Sequence, residues 1–129
     1  VTSTGNATTL GATYKRKVVG FSVTDPVTGQ QGSYAVIPSA GTITAWNIVA
    51  DTGTATVKVW KIATGTTAPT ISNVINTSGV SLSTGTAVRS TTLTDFTTTA
   101  VAANDIFAFD LTAVSGATKL LFELEITLT

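Results

Sequence analysis

The chain has 129 residues, with seven basic residues against seven acidic ones and a formal net charge of zero. That length fits one domain, and the even charge lacks the basic stripe from which nucleic-acid binders draw most of their affinity, so nucleic acid is not an expected partner. Hydrophobic residues make up 43% of the chain, too many for a disordered polymer.

Cysteine, histidine and methionine are all absent. No disulfide framework and no thiolate metal site is available, and neither are imidazole bases or thiol nucleophiles. No apolar run reaches the length of a membrane span. Threonine fills 29 positions and serine 10. Threonine is β-branched and suits a pleated, half-wet surface, so this composition with many Val and Ile reads as sheet. A surface of hydroxyls rather than charges is associated with protein faces in large assemblies, or with faces that meet sugar.

Residues 1–13 are rich in Thr, Gly, Ala and Asn and carry neither a core-forming pattern nor the basic-plus-apolar pattern of a leader. They read as an N-terminal arm or linker, followed by a single domain over 14–129. Lys15-Arg16-Lys17 is the one charge run, either a solvated lead-in to the first strand or a contact for an acidic surface. Alternation then dominates. Val19, Phe21 and Val23 oppose Val18, Gly20 and Ser22 in a strand over 17–24. The turn Asp25-Pro26-Val27-Thr28-Gly29 follows, then strands at 33–38 and 42–50. Asp51-Thr52-Gly53-Thr54 is short enough to close a hairpin into a strand at 54–62, where Val57 and Val59 oppose Lys58 and Trp60.

Beyond a Gly/Thr-rich loop at 63–69, further strands are expected at 70–76, 86–93, 105–112 and 119–128, with 76–86 as another loop. Phe107, Phe109 and Leu111 make one apolar stripe. Leu120, Phe122, Leu124, Ile126 and Leu128 make the clearest one, with Lys119, Glu123 and Glu125 opposite. A final strand so apolar belongs at the centre of a sheet. The expectation is an all-β fold, an antiparallel β-sandwich of about eight strands, jelly-roll-like.

Chemistry has little to work with. A carboxylate pair is the one catalytic device left, yet Asp25, Asp51 and Asp105 fall in turns, and Glu123 and Glu125 lie on the polar side of a strand. The chain is expected not to be an enzyme and to need no cofactor. Asp51 with Thr52 and Thr54 offers too few carboxylates for calcium, so no metal is expected. The aromatics Trp60, Trp46, Tyr34 and Tyr14 have two duties open to them. They pack in a core or interface, or they stack on sugar rings, with Trp60, Trp46 and Tyr34 as the candidate ligand-binding residues.

The run Ile37-Pro38-Ser39-Ala40-Gly41-Thr42-Ile43-Thr44-Ala45-Trp46 resembles a module common in tailed-bacteriophage structural proteins. So do Ala50-Asp51 with Gly53, and Val57-Lys58-Val59-Trp60-Lys61. The likeness continues through Pro69-Thr70, Ser90-Thr91-Thr92-Leu93, Asp95-Phe96, Asn104-Asp105-Ile106, Phe109-Asp110-Leu111 and Ala117-Thr118-Lys119-Leu120, covering roughly 35–129. The module usually has Trp where Phe96 stands and Gly where Asn104 stands. The resemblance implies a β-sandwich displayed on a virion, as head decoration, fibre, tail or baseplate appendage, with other virion proteins as partners and host-surface glycan as an accompanying contact. It also implies a cyclic homo-oligomer, with a trimer favoured. The competing expectation is a carbohydrate-binding module of a secreted multidomain protein.

Overall fold

A computed structural model describes residues 15–65, 67–83 and 86–129; Tyr14 and the arm 1–13 lie outside the described residues. Among the described residues, nine strands build two antiparallel sheets: β1 (Arg16–Thr24), β2 (Gly29–Val36), β3 (Gly41–Ala50), β4 (Thr54–Ile62), β5 (Val80–Leu82), β6 (Ala87–Ser90), β7 (Ala100–Val101), β8 (Ile106–Ser115) and β9 (Lys119–Leu128). One sheet has the order β1-β9-β3-β6, with β7 also on β3. The other has the order β2-β8-β4-β5.

The pairings are nested. β1 takes β9, β2 takes β8, β3 takes β6 and β7, and β4 takes β5. A long antiparallel ribbon paired in this way and rolled so that β9 meets β3 and β8 meets β4 is a jelly roll. The two apolar stripes of β8 and β9 face each other across the layers. Phe107, Phe109, Leu111, Phe122, Leu124 and Ile126 are each no more than 1% exposed. β9 sits between β1 and β3, as its sequence demands. Phe21, Phe109 and Phe122 knit the sheets, with ring centroids 5.6 to 6.2 Å apart, close enough for aromatic attraction beyond area burial.

Several elements depart from the sequence expectation. Residues 70–76 form no strand. Asn73 accepts the Thr70 N–H through its side chain, and a 3-10 turn winds over Ile71–Asn73. Single bridges Trp60–Val74 and Asn76–Phe96 follow. β2 starts at Gly29 rather than 33 because its first three residues already pair with β8 before a bulge. The expected 86–93 strand shortens to Ala87–Ser90, where the Ser90 hydroxyl accepts the Thr92 N–H and turns the chain. β5 and β7 are new, and both are very short.

The Asp51–Thr54 turn is not a hairpin. β3 and β4 lie in different sheets, so this turn carries the chain around a corner of the sandwich. The β8–β9 turn makes a matching corner beside it. Gly53, at φ 83°, sits so close that a Cβ would meet the Ser115 carbonyl oxygen at 1.9 Å.

Asp51 ties the two corners together. Its carboxylate accepts the backbone N–H groups of Thr52, Thr118 and Lys119 at 2.9 to 3.0 Å, and the Thr118 hydroxyl as well. Those bonds, the Thr118 hydroxyl foremost, hold Asp51 well below the ordinary carboxylate range. A depressed folded-state pKa adds stability that is present above the unfolded value and fades as pH falls toward the folded one. Asp51→Ala is therefore expected to lower Tm at pH 7, with the gap from wild type narrowing between pH 4 and pH 2. A gap independent of pH in thermal melts would contradict this account of the corner.

Candidate functional site

The outward face of the β1-β9-β3-β6 sheet carries two surface depressions and an ion pair. Strand register fixes who stands beside whom. Ser22, Leu121, Val49 and Ala87 form one row across the four strands, and Gly20, Glu123, Asn47 and Arg89 form the next. A depression of about 380 Å³ lies over the first row and reaches the corner at Asp51 and Lys119. A second, of about 330 Å³, lies beside β1 and is lined by Val18, Gly20, Ser22, Leu121 and Glu123 among others. Both are open troughs, and in the second Gly20 and Ser22 leave the sheet surface low between the larger Val18 and Leu121. Val18 is 51% exposed and Val49 42% exposed.

Beside the troughs, Glu125 accepts a forked pair of hydrogen bonds from Arg89 Nε and Nη2, each 2.9 Å, and a third from Asn47 Nδ2 at 2.8 Å. Arg89 on β6 thus reaches across β3 to β9. The Arg89 fork, helped by Asn47, pulls the Glu125 carboxyl below its usual range. Arg89 is over half exposed, so the pair is screened by salt and orients the surface more than it stabilises the fold. β3 bulges between Ile43 and Ala45, next to the residues that pair with β9 here. The Thr44 hydroxyl lies 3.4 Å from both the Glu125 carbonyl oxygen and the Thr127 hydroxyl.

The aromatic residues singled out in the sequence are not brought together. Trp46 lies on β3, buried in the core cluster at 7% exposure, and its indole N–H donates to the Thr92 carbonyl oxygen at 3.3 Å. Trp60 lies on β4 in the other sheet. It does point away from Val57 and Val59, yet it is only 9% exposed, with Ala108 as its cross-strand neighbour and Val74 bridging to its backbone. Tyr34, in the bulge of β2, is half exposed and stands alone. Neither tryptophan therefore presents a ring face on which a sugar would stack.

Two buried polar groups escaped the sequence reading. Asp105 is not a free turn residue. At 3% exposure, it accepts Lys61 Nζ at 3.0 Å and the Ala102 N–H at 2.8 Å. Asn76, wholly buried, acts as a one-residue strand against β4. Its Oδ1 accepts the Val59 N–H at 2.6 Å, and its Nδ2 donates to the Val57 carbonyl oxygen at 3.2 Å. The turn-rich sequence around both residues gave no sign of burial. Among the described residues, no three acidic side chains gather closely enough to form a metal site.

No family model matches the sequence, and no curated protein matches it. Among solved structures, the chain is similar to one titled "Structure of infectious bursal disease virus Gx strain". Identity is 14%, the TM-score is 0.36, and the match covers 87% of this chain but 33% of that one. The chain thus spans about a third of that chain's length, and so distant a likeness carries no argument about what this chain does.

Proposed function

We propose that the chain is a structural subunit of a virus particle, a surface-exposed decoration or appendage protein of a tailed-phage virion that associates with copies of itself. The observation that carries this reading is where the phage-module residues lie. Ile37, Ile43, Trp46, Val57, Val59, Phe96, Phe109 and Leu111 are all buried core positions, and Asp51 and Gly53 hold the paired corners. The resemblance is therefore one of framework, and the framework is a jelly roll, an architecture used by viral capsid and lectin domains alike. A low-charge, threonine-rich exterior at zero net charge offers little colloidal repulsion and favours association.

The lectin-like alternative needs an aromatic platform in solvent, and the burial of both tryptophans argues against one built on them. Among the described residues, Tyr34 and the open troughs are available for a host-surface glycan contact. Immunogold labelling of particles purified from the source tests the proposal. Antibody raised against the chain should decorate intact particles at regular positions. Bare particles, with the protein free in solution and retained on a glycan column, would favour the carbohydrate-binding module instead.

A further inference from the structure

Four sides bound the two sheets, and three of them are protected against pairing with another chain. β5 has three residues, and the outer side of β3 is split into runs of four and two. β2 loses register between Gln31 and Ala35, around Gly32 at φ 64°, which bends that edge away. β1 is neither short nor bulged, and its charges are confined to Arg16 and Lys17 at its start. It runs nine residues against β9 in one unbroken register, and from Val18 to Thr24 it carries neither charge nor proline. Its strand partner is β9 alone among the described residues. The N–H and C=O groups on its other side therefore form a row of donors and acceptors without strand partners among the described residues.

We propose that this free edge of β1 is where a second copy of the chain docks, by antiparallel pairing of the two β1 strands about a two-fold axis at Gly20. Charge selects both the direction and the register. Lys15, Arg16 and Lys17 stand exposed at one end of the strand and Asp25 stands exposed at the other. Parallel pairing would set the two basic runs side by side. Antiparallel pairing separates them, and centring on Gly20 brings the Lys15 end of each copy beside the Asp25 end of the other, each residue just beyond the strand. In the same register, Val18 of one copy faces Ser22 of the other on the outward face. It then lies beside the trough framed by Val18, Gly20 and Leu121. The half-exposed Val18 gains cover, and the outer backbone groups gain strand partners.

The contact does not depend on the virion reading, since two copies can meet in solution as well as on a particle. It is isologous, so two copies close it. A three-fold ring of the kind implied by the phage resemblance would use another surface.

Gly20 is not a test position, because a Cβ there would meet the Phe122 carbonyl oxygen at 1.9 Å and break β1 from β9. The absence of native cysteine gives a clean alternative. In the full chain, Val18→Cys combined with Ser22→Cys should cross-link two copies under mild oxidation. Val36→Cys, exposed on the β2 edge, should not. In sedimentation equilibrium, Lys15→Glu or Asp25→Lys alone should weaken the dimer by about threefold to tenfold. The two together should restore it. Circular dichroism confirms that each variant is folded. A strict monomer with no Val18/Ser22 cross-link overturns the proposal, as does failure of the double charge swap to restore association. So does a cross-link that forms only after residues 1–13 are deleted, for then the chain's own arm occupies the edge.

Discussion

Leu124→Asp is expected to abolish folding. Leu124 sits in the middle of β9, wholly buried, with Val19 of β1 on one side and Trp46 of β3 on the other. Both neighbours belong to the same apolar cluster, and no cationic side chain lies in it to meet a carboxylate. Losing the leucine side chain alone costs about 2–5 kcal/mol. Burying an unpaired carboxyl adds several more, against a total stability of about 5–15 kcal/mol for a domain of this kind. Thermal melts followed by far-UV circular dichroism should show no cooperative transition. Glu123→Gln, one residue away on the outward face, should melt close to wild type. A folded Leu124→Asp variant would mean that β9 is turned by one residue, because a one-residue slip exchanges the two faces of a strand.

The second large effect is expected at Lys61. The Lys61 and Asp105 side chains are 15% and 4% exposed, with ammonium and carboxylate 3.0 Å apart. They tie β4 to the turn that opens β8. Lys61→Met keeps most of the side-chain volume but leaves the Asp105 charge facing only the Ala102 N–H. Breaking one side of a buried pair costs about 3–5 kcal/mol, most of it the uncompensated charge that remains. Partial exposure of Lys61 puts the expectation near the lower end, about 3 kcal/mol by urea denaturation. Lys61→Met combined with Asp105→Asn should recover much of the loss, since the amide oxygen still accepts the Ala102 N–H without a buried charge. A single variant within 0.5 kcal/mol of wild type, as at an ordinary surface position, would show that water reaches the pair freely.

These two sites differ in how far the sequence announced them. The β9 stripe is period-2 over five apolar residues, and nothing but a central strand buries such a run. The structure places four of them in the core, with Leu128 packed against it. Lys61 and Asp105 are 44 residues apart in sequence, so their meeting depends on the topology, which local patterns do not encode. The same limit explains the Asp51–Thr54 turn. Turn residues bring the chain round whether it returns to its own sheet or crosses to the other, and only the nested pairing decides between them. β5 and β7 are too short for alternation to register. Residues 70–76 alternate passably, but the Asn73 side chain satisfies the Thr70 backbone N–H locally and a 3-10 turn wins.

The candidate binding residues were the least legible. Alternation along β4 correctly sends Trp60 to the face opposite Val57 and Val59, yet a face that looks outward in one strand is covered when another segment runs past it. Segment 74–76 pairs along the edge of β4 here, and Trp60 beside it is only 9% exposed. In β3 the bulge at Thr44 shifts the alternation, so Ala45 and Trp46 are both buried although adjacent. Conversely, the open edge of β1 could not be read from its residues, because being last in a sheet is a property of neighbours.

The most direct test of the structural-subunit account is the copy number of this chain in virus particles purified from the source through a density gradient. The account predicts that it co-migrates with the particles in a fixed, symmetry-compatible ratio to the major shell protein, at many copies per particle. Trace or variable amounts in the particle band, with the bulk of the chain remaining soluble at the top of the gradient, would contradict it.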